Sequence, residues 1–150
     1  MTKSSTPKSL DQHQLKAINQ LIDKIAARQL QDFGRSASET KADGTLITEC
    51  DKWSDSNIVH GIAQITEGEK VLSEEGNKII PDSSAFWVVD PIDGTTNFAA
   101  GIPYWAISMA RFVNGSPESA FLDISLLYPG SVKYSTIGRI NDPLAPFQFF

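Results

Sequence analysis

The chain has one cysteine, no basic stripe, and no apolar run longer than Ala85 to Val89. A single thiol, Cys50, cannot close an internal disulfide. Lying between Glu49 and Asp51, it has no local base to lower its pKa, so it reads as a packed thiol rather than a nucleophile. Thirteen Lys and Arg against eighteen Asp and Glu give a net charge of −5, with no cationic surface to neutralise a phosphate backbone. Nucleic acid is therefore not expected as a partner. The apolar runs fall far below the ~20 residues that cross a bilayer. MTKSSTPKSL lacks the apolar centre of a signal peptide, so no membrane association and a cytoplasmic location are expected. No low-complexity tract and no solenoid period is present.

What remains is an ordinary globular composition, 41% hydrophobic and 21% charged over 150 residues. That length suffices for one domain burying roughly 70% of the surface its unfolded chain exposes. Residues 1–8 are polar, hold Pro7, and are expected to form a disordered N-terminus. Ser9 and Gln12 have the spacing of a capping box, and Leu15, Ile18, Leu21, Ile22, Ile25, Leu30 and Phe33 then recur at helical spacing up to Gly34. Asp43-Gly44 is a turn signal ahead of a short strand from Thr45 to Thr48. Asp51 stands where an N-cap would stand, before a second helix through Trp53, Ile58, Ile62 and Ile65. Val71 to Ser73 and Phe86 to Val89 read as strands. Tyr104 to Val113 and Pro117 to Leu127 read as two more, joined at Asn114-Gly115. Two helices followed by strands with little helix between them predict an α+β fold, a layered sandwich of helices on a largely antiparallel sheet.

Glu74, Asp90 and Asp93 each stand at or just beyond the end of an apolar strand, where a side chain can enter a cleft. Convergent carboxylates repel, and a hard divalent cation with oxygen ligands offsets that repulsion. An exposed acidic turn is the alternative on composition alone. Pro91 fixes its own φ and removes one N–H, so Asp90 and Asp93 can reach one point with the Ile92 carbonyl beside them. Gly94 lets the backbone approach a ligand, and the N–H groups of Gly94, Thr95 and Thr96 would open a helical turn suited to an anion. Taken alone, a threonine-capped turn is the simpler reading. Carboxylates for metal beside amides for phosphate are the parts of metal-assisted phosphoryl transfer.

DPIDGTTNF at 90–98, the Glu74-Glu75 pair and DGTLITECD at 43–51 together resemble the inositol monophosphatase family of Mg²⁺-dependent sugar-phosphate phosphatases. The resemblance runs from the first helix to about Leu127 and implies a domain over 9–127, with 128–150 a divergent tail. It implies that Glu74, Asp90 and the Ile92 carbonyl bind one ion, that Asp90 and Asp93 share a second, and that Glu74 with Glu75 holds a weaker third. The ions would be Mg²⁺, with Mn²⁺ as a substitute. Asp51, Thr95 and Glu75 would be the catalytic group, Asp51 and Thr95 orienting the attacking water with no phosphoenzyme. The amides of Gly94, Thr95 and Thr96 would hold phosphate, Asp93 would also reach a substrate hydroxyl, and Lys41 matches a basic position loosely.

The chain departs from the family at Ser73, where glycine is usual. It also lacks the Trp-Asp-x-Ala stretch that supplies a further aspartate, since other residues follow Trp53, Trp87 and Trp105. Two readings follow: a phosphomonoesterase acting on a small phosphorylated metabolite, or a shortened, noncatalytic half that binds metal and phosphate. The expected sheet face around Phe112, Phe121 and Leu127 would then be covered by a homodimer partner or a complementing chain. Inositol phosphate, histidinol phosphate, fructose bisphosphate and nucleotide 3′-phosphates are all substrates of chains that share the loop.

Overall fold

The structure, a computed structural model, describes residues 7–124 and the backbone of residues 133–137. The expected features at residues 1–6, around Leu127 and over 138–150 lie outside the described residues.

Helix α1 runs from Gln12 to Asp32. Its cap is Asp11, not Ser9: the Asp11 carboxylate accepts the Gln14 N–H at 2.8 Å, and the Gln14 side chain accepts the Asp11 N–H at 3.0 Å. The pair has the same three-residue spacing as Ser9 and Gln12, but its acid also complements the positive end of the helix. A short hairpin follows, β1 (Ser38–Thr40) and β2 (Leu46–Thr48), closed around the expected Asp43-Gly44 turn. Helix α2 runs from Glu49 to Ile65 and is capped by Thr48, so Asp51 sits one turn deeper than expected. Its role there is set by the site below.

The remaining elements are β3 (Lys70–Ser73), β4 (Ala85–Asp93), the short helix α3 (Thr95–Ala99), β5 (Ala106–Val113), β6 (Ser116–Asp123) and β7 (Lys133–Ile137). They form one sheet in the order β3-β4-β5-β6-β7, parallel between β3 and β4 and antiparallel elsewhere. Asn114 and Gly115 close the β5–β6 turn, both at positive φ. The fold is α+β.

Alternation along the strands decides which face meets the helices. Trp87 and Val89 of β4, Ile107 and Met109 of β5, and Phe121 of β6 are buried with Ile18, Ile22 and Ile25 of α1 and Ile58 and Ile62 of α2. The intervening residues Phe86, Val88, Ala110 and Phe112 point the other way and are only half-buried, with the Phe86 and Phe112 rings stacked 5.4 Å apart. Phe121 therefore does not belong to the outer face as expected. It packs against Trp87 in the core, because its odd-numbered register places it opposite Met109.

Candidate active site

Strand β4 delivers Asp90 to the outer face, next to the end of β3, where the Glu74 N–H donates to the Val89 carbonyl at 3.2 Å. Register with β5 then shifts between Asp90 and Asp93, so the turn at Pro91 is a bulge inside the strand rather than a loop after it. Pro91 tolerates this, having no N–H to leave unpaired. The Ile92 N–H donates to the Asp90 carboxylate at 3.2 Å, and Asp93 emerges exposed. Glu74, Asp90, Ser73, Lys78 and Ser108 border a cavity of about 530 Å³ whose floor is Leu72, Val88, Ala110 and Phe112. Burial, then the charge of Glu74 and a hydrogen bond with it, then the charge of Asp93, push the Asp90 carboxyl up to about 7.

Asp51 is 1% exposed on the first turn of α2. One carboxylate oxygen accepts the Thr48 N–H at 2.8 Å and meets the Thr48 hydroxyl, completing a capping box in which Asp51 is the third-position partner rather than the cap. The other oxygen lies 3.0 Å from the Thr95 hydroxyl, which is also 3.0 Å from the Ile92 carbonyl. A single threonine thus joins α2 to the end of β4.

Gly94 has φ +103°, and a Cβ there would lie 2.9 Å from the Tyr104 carbonyl oxygen. Both facts demand glycine at the point where β4 becomes α3. Gly94→Ala is expected to destabilise the chain by about 2 kcal/mol, seen as a lower urea midpoint with unchanged slope. A midpoint equal to wild type would show that the turn adapts.

Lys41 donates to the Glu75 carboxylate at 2.7 Å and lies 3.8 Å from Glu74. Burial alone would lower its pKa, but the hydrogen bond and charge of Glu75, with Glu74 and Asp43 behind, outweigh that and raise it. The Lys41 ammonium is therefore committed to an acid, and Glu75, its side chain 4% exposed, is already neutralised. Cys50 is the packed thiol expected: burial first, then the charge of Asp32, push it up to about 12.

Among the described residues no three His, Cys, Asp or Glu side chains are assembled around one point. The donor set nevertheless fits a hard cation: Glu74 and Asp90 are in contact, the nearby Lys41 is hydrogen-bonded to Glu75 and lies 3.8 Å from Glu74, the Ile92 carbonyl follows two residues after Asp90, and every donor is oxygen. Mg²⁺ suits such a partial set because it keeps several waters.

The sequence pattern of the inositol monophosphatase family matches residues 7–124. The chain belongs to that family. The chloroplastic phosphatase IMPL1 of Arabidopsis thaliana is 42% identical over 77 residues, 50% of this chain and 20% of its own. The histidinol-phosphatase of Mycobacterium tuberculosis is 37% identical over 80 residues, 53% of this chain and 31% of its own. Among solved structures, the Thermotoga maritima IMPase superposes with a TM-score of 0.71 at 29% identity, over 85% of this chain and 53% of that one. The chain thus spans about half or less of the length of these inositol monophosphatase relatives. As in the family structures, the fold is helices on a mixed sheet. No helix among the described residues is long and apolar enough to cross a membrane.

The sequence reading missed Gln29, Ser54 and Trp105, which surround the Pro91 turn from behind. Nothing local marks them. The only signal is a glutamine on the apolar stripe of α1, at the position where Ile18, Ile22, Ile25 and Ala26 lead one to expect another hydrophobe.

Proposed function

We propose that this chain is the metal- and phosphate-holding part of a Mg²⁺-dependent phosphomonoesterase acting on a small sugar or polyol phosphate. The observation that carries this reading is the Thr95 hydroxyl, 3.0 Å from both Asp51 and the Ile92 carbonyl, at the end of the strand that brings Asp90 against Glu74. Glu74, Asp90 and the Ile92 carbonyl would hold one ion, Asp90 and Asp93 a second, and Glu74 a weaker third, which Glu75 would join only by giving up its hydrogen bond with Lys41. Bound there, the ions supply polarisation of a phosphate oxygen and a lowered pKa for water.

The chain's own residues do the rest. With its own hydrogen bond donated to Asp51, the Thr95 oxygen would accept a hydrogen bond from a water and fix that water's orientation. Asp51 stays buried and anchored by Thr48, so its free oxygen cannot swing away. The N–H groups of Gly94, Thr95 and Thr96 would face phosphate oxygens, and Asp93, exposed at the mouth, would reach the alcohol of the substrate. Relatives named for histidinol phosphate and for fructose bisphosphate and inositol phosphate support a polyol-like phosphate as the class. Turnover is proposed for the full family length, the rest of which would also cover the outer sheet face. The alternative, a half that binds without turning over, predicts the same metal affinity and no phosphate release.

Asp90→Asn tests the reading with two signs. The variant should bind Mn²⁺ at least about 30-fold more weakly, since a direct carboxylate donor is lost. Without metal it should be more stable at pH 8, by about 1 kcal/mol after discounting for partial exposure. The sign follows from the raised pKa: the benefit of protonated Asp90 is full below the unfolded value near 4 and is lost as pH rises through about 7. The gap between variant and wild type should therefore close at pH 4. Titration calorimetry and thermal melts at both pH values decide it. Equal Mn²⁺ affinities, or none in wild type, would remove the metal reading.

A further inference from the structure

We infer that Gln29 is a positioning residue for the ion-holding turn, fixing the Pro91 peptide between Asp90 and Ile92; this rests on the metal reading above. Gln29 is 1% exposed, on the inward face of α1. Its amide nitrogen donates to the Pro91 carbonyl at 2.8 Å and lies 3.2 Å from the Ser54 hydroxyl. Its amide oxygen accepts the indole N–H of Trp105 at 3.1 Å.

A buried primary amide is costly unless its groups are paired, and an apolar residue on this stripe would avoid the problem altogether. The pairing here is directed at one place. Between Asp90 and Asp93 the ladder with β5 is interrupted, so the Pro91 carbonyl sits where regular pairing fails. Gln29 supplies the donor that the bulge leaves out. Once the Pro91 carbonyl is held toward the helices, the peptide plane after it is set. The next carbonyl, Ile92, then lies at the Thr95 hydroxyl, and the Asp90 side chain stays on the outer face beside Glu74.

The other two contacts make the donor unambiguous. Trp105 has only an N–H to offer, so it selects the orientation of Gln29 in which oxygen faces the indole and nitrogen faces Pro91. Ser54 lies three residues after Asp51 on α2, so the same amide ties the helix that carries Asp51 to the turn that carries the acids. A side chain that served only the core would need none of this, and Met would fill its volume.

The experiment uses the full 150-residue chain and Mn²⁺, with affinity read by electron paramagnetic resonance and stability by thermal melting. Gln29→Met should weaken Mn²⁺ about tenfold, the range seen when groups behind a metal ligand are removed. Ile25→Val, one turn earlier on the same buried stripe, should lower the melting temperature and leave the affinity within twofold. Trp105→Phe keeps a ring but frees the Gln29 amide to flip, and should weaken Mn²⁺ threefold or more. If Gln29→Met does not fold, Trp105→Phe decides alone. Affinities within twofold of wild type for the folded variants, whatever their melting temperatures, would overturn the inference and leave the metal reading standing. A wild type that binds no Mn²⁺ would remove both.

Discussion

Thr95→Ala, carried in a full-length chain of the family, is expected to lower kcat about 10²-fold with little change in KM. The hydroxyl touches both Asp51 and the Ile92 carbonyl, each at 3.0 Å, and alanine removes the oxygen whose orientation those two partners fix. Loss of a single oriented polar contact to a reacting group carries an effect of this size. Folding should suffer much less, by about 1 kcal/mol for one hydrogen bond. Thr95→Ser keeps the hydroxyl and should restore most of the rate. The measurement is phosphate release from inositol 1-phosphate at saturating Mg²⁺, with melting curves to confirm folding. An unchanged kcat would reduce Thr95 to a link between α2 and α3.

Arg111→Ala should have the largest effect on stability, about 3–5 kcal/mol, as when one partner of a buried ion pair is removed. Arg111 is 3% exposed on the helix side of β5. It donates to both oxygens of Glu69, to Glu118 at 2.6 Å and to the Lys8 carbonyl at 3.1 Å, while the Trp87 indole also donates to Glu69 at 2.8 Å. Burial alone would lower its pKa, but Glu69 and Glu118 outweigh that and raise it. Alanine would leave those two acids facing each other with no cation between them. Replacing Glu69 and Glu118 by glutamine in the same chain should recover much of the loss. Urea unfolding measures both, and a loss below about 1 kcal/mol for Arg111→Ala would mean that water replaces the guanidinium.

How much of this was legible depended on sequence distance. In DPIDGTTNF the strand end, the proline, the left-handed glycine and the threonine lie within nine residues, so their order could be read, although the turn at Pro91 is a bulge within the strand rather than a loop after it. The Asn114-Gly115 hairpin was legible for the same reason. Asp51 was assigned to the right helix end but one turn too early, because Thr48 and Asp51 are three residues apart and either could have been the cap. Arg111 drew no notice inside a strand of apolar residues, its partner Glu69 being 42 residues away. Gln29 was invisible, since its contacts at Ser54, Pro91 and Trp105 are 25, 62 and 76 residues distant. The apolar outer face was foreseen, but Phe121 was assigned to it because one residue of register separates the two faces.

The order of elements along the chain also sets an order in time. Strands β4, β5 and β6 are neighbours both in sequence and in the sheet, so their pairing closes short loops and belongs to the fast part of folding. On a ribosome, however, α1 and α2 are made first, at roughly 5–20 residues per second. The surface that buries Ile18, Ile22, Ile58 and Ile62 does not exist until residues up to Phe121 have been synthesised. Until then the two helices have only each other to pack against, and the apolar stripe of a nascent chain stays open to chaperones for seconds. Asp90 and Asp93 are thus laid down on a strand whose pairing is fast, whereas Asp51 is made earlier, on a helix that waits for the sheet before it can dock.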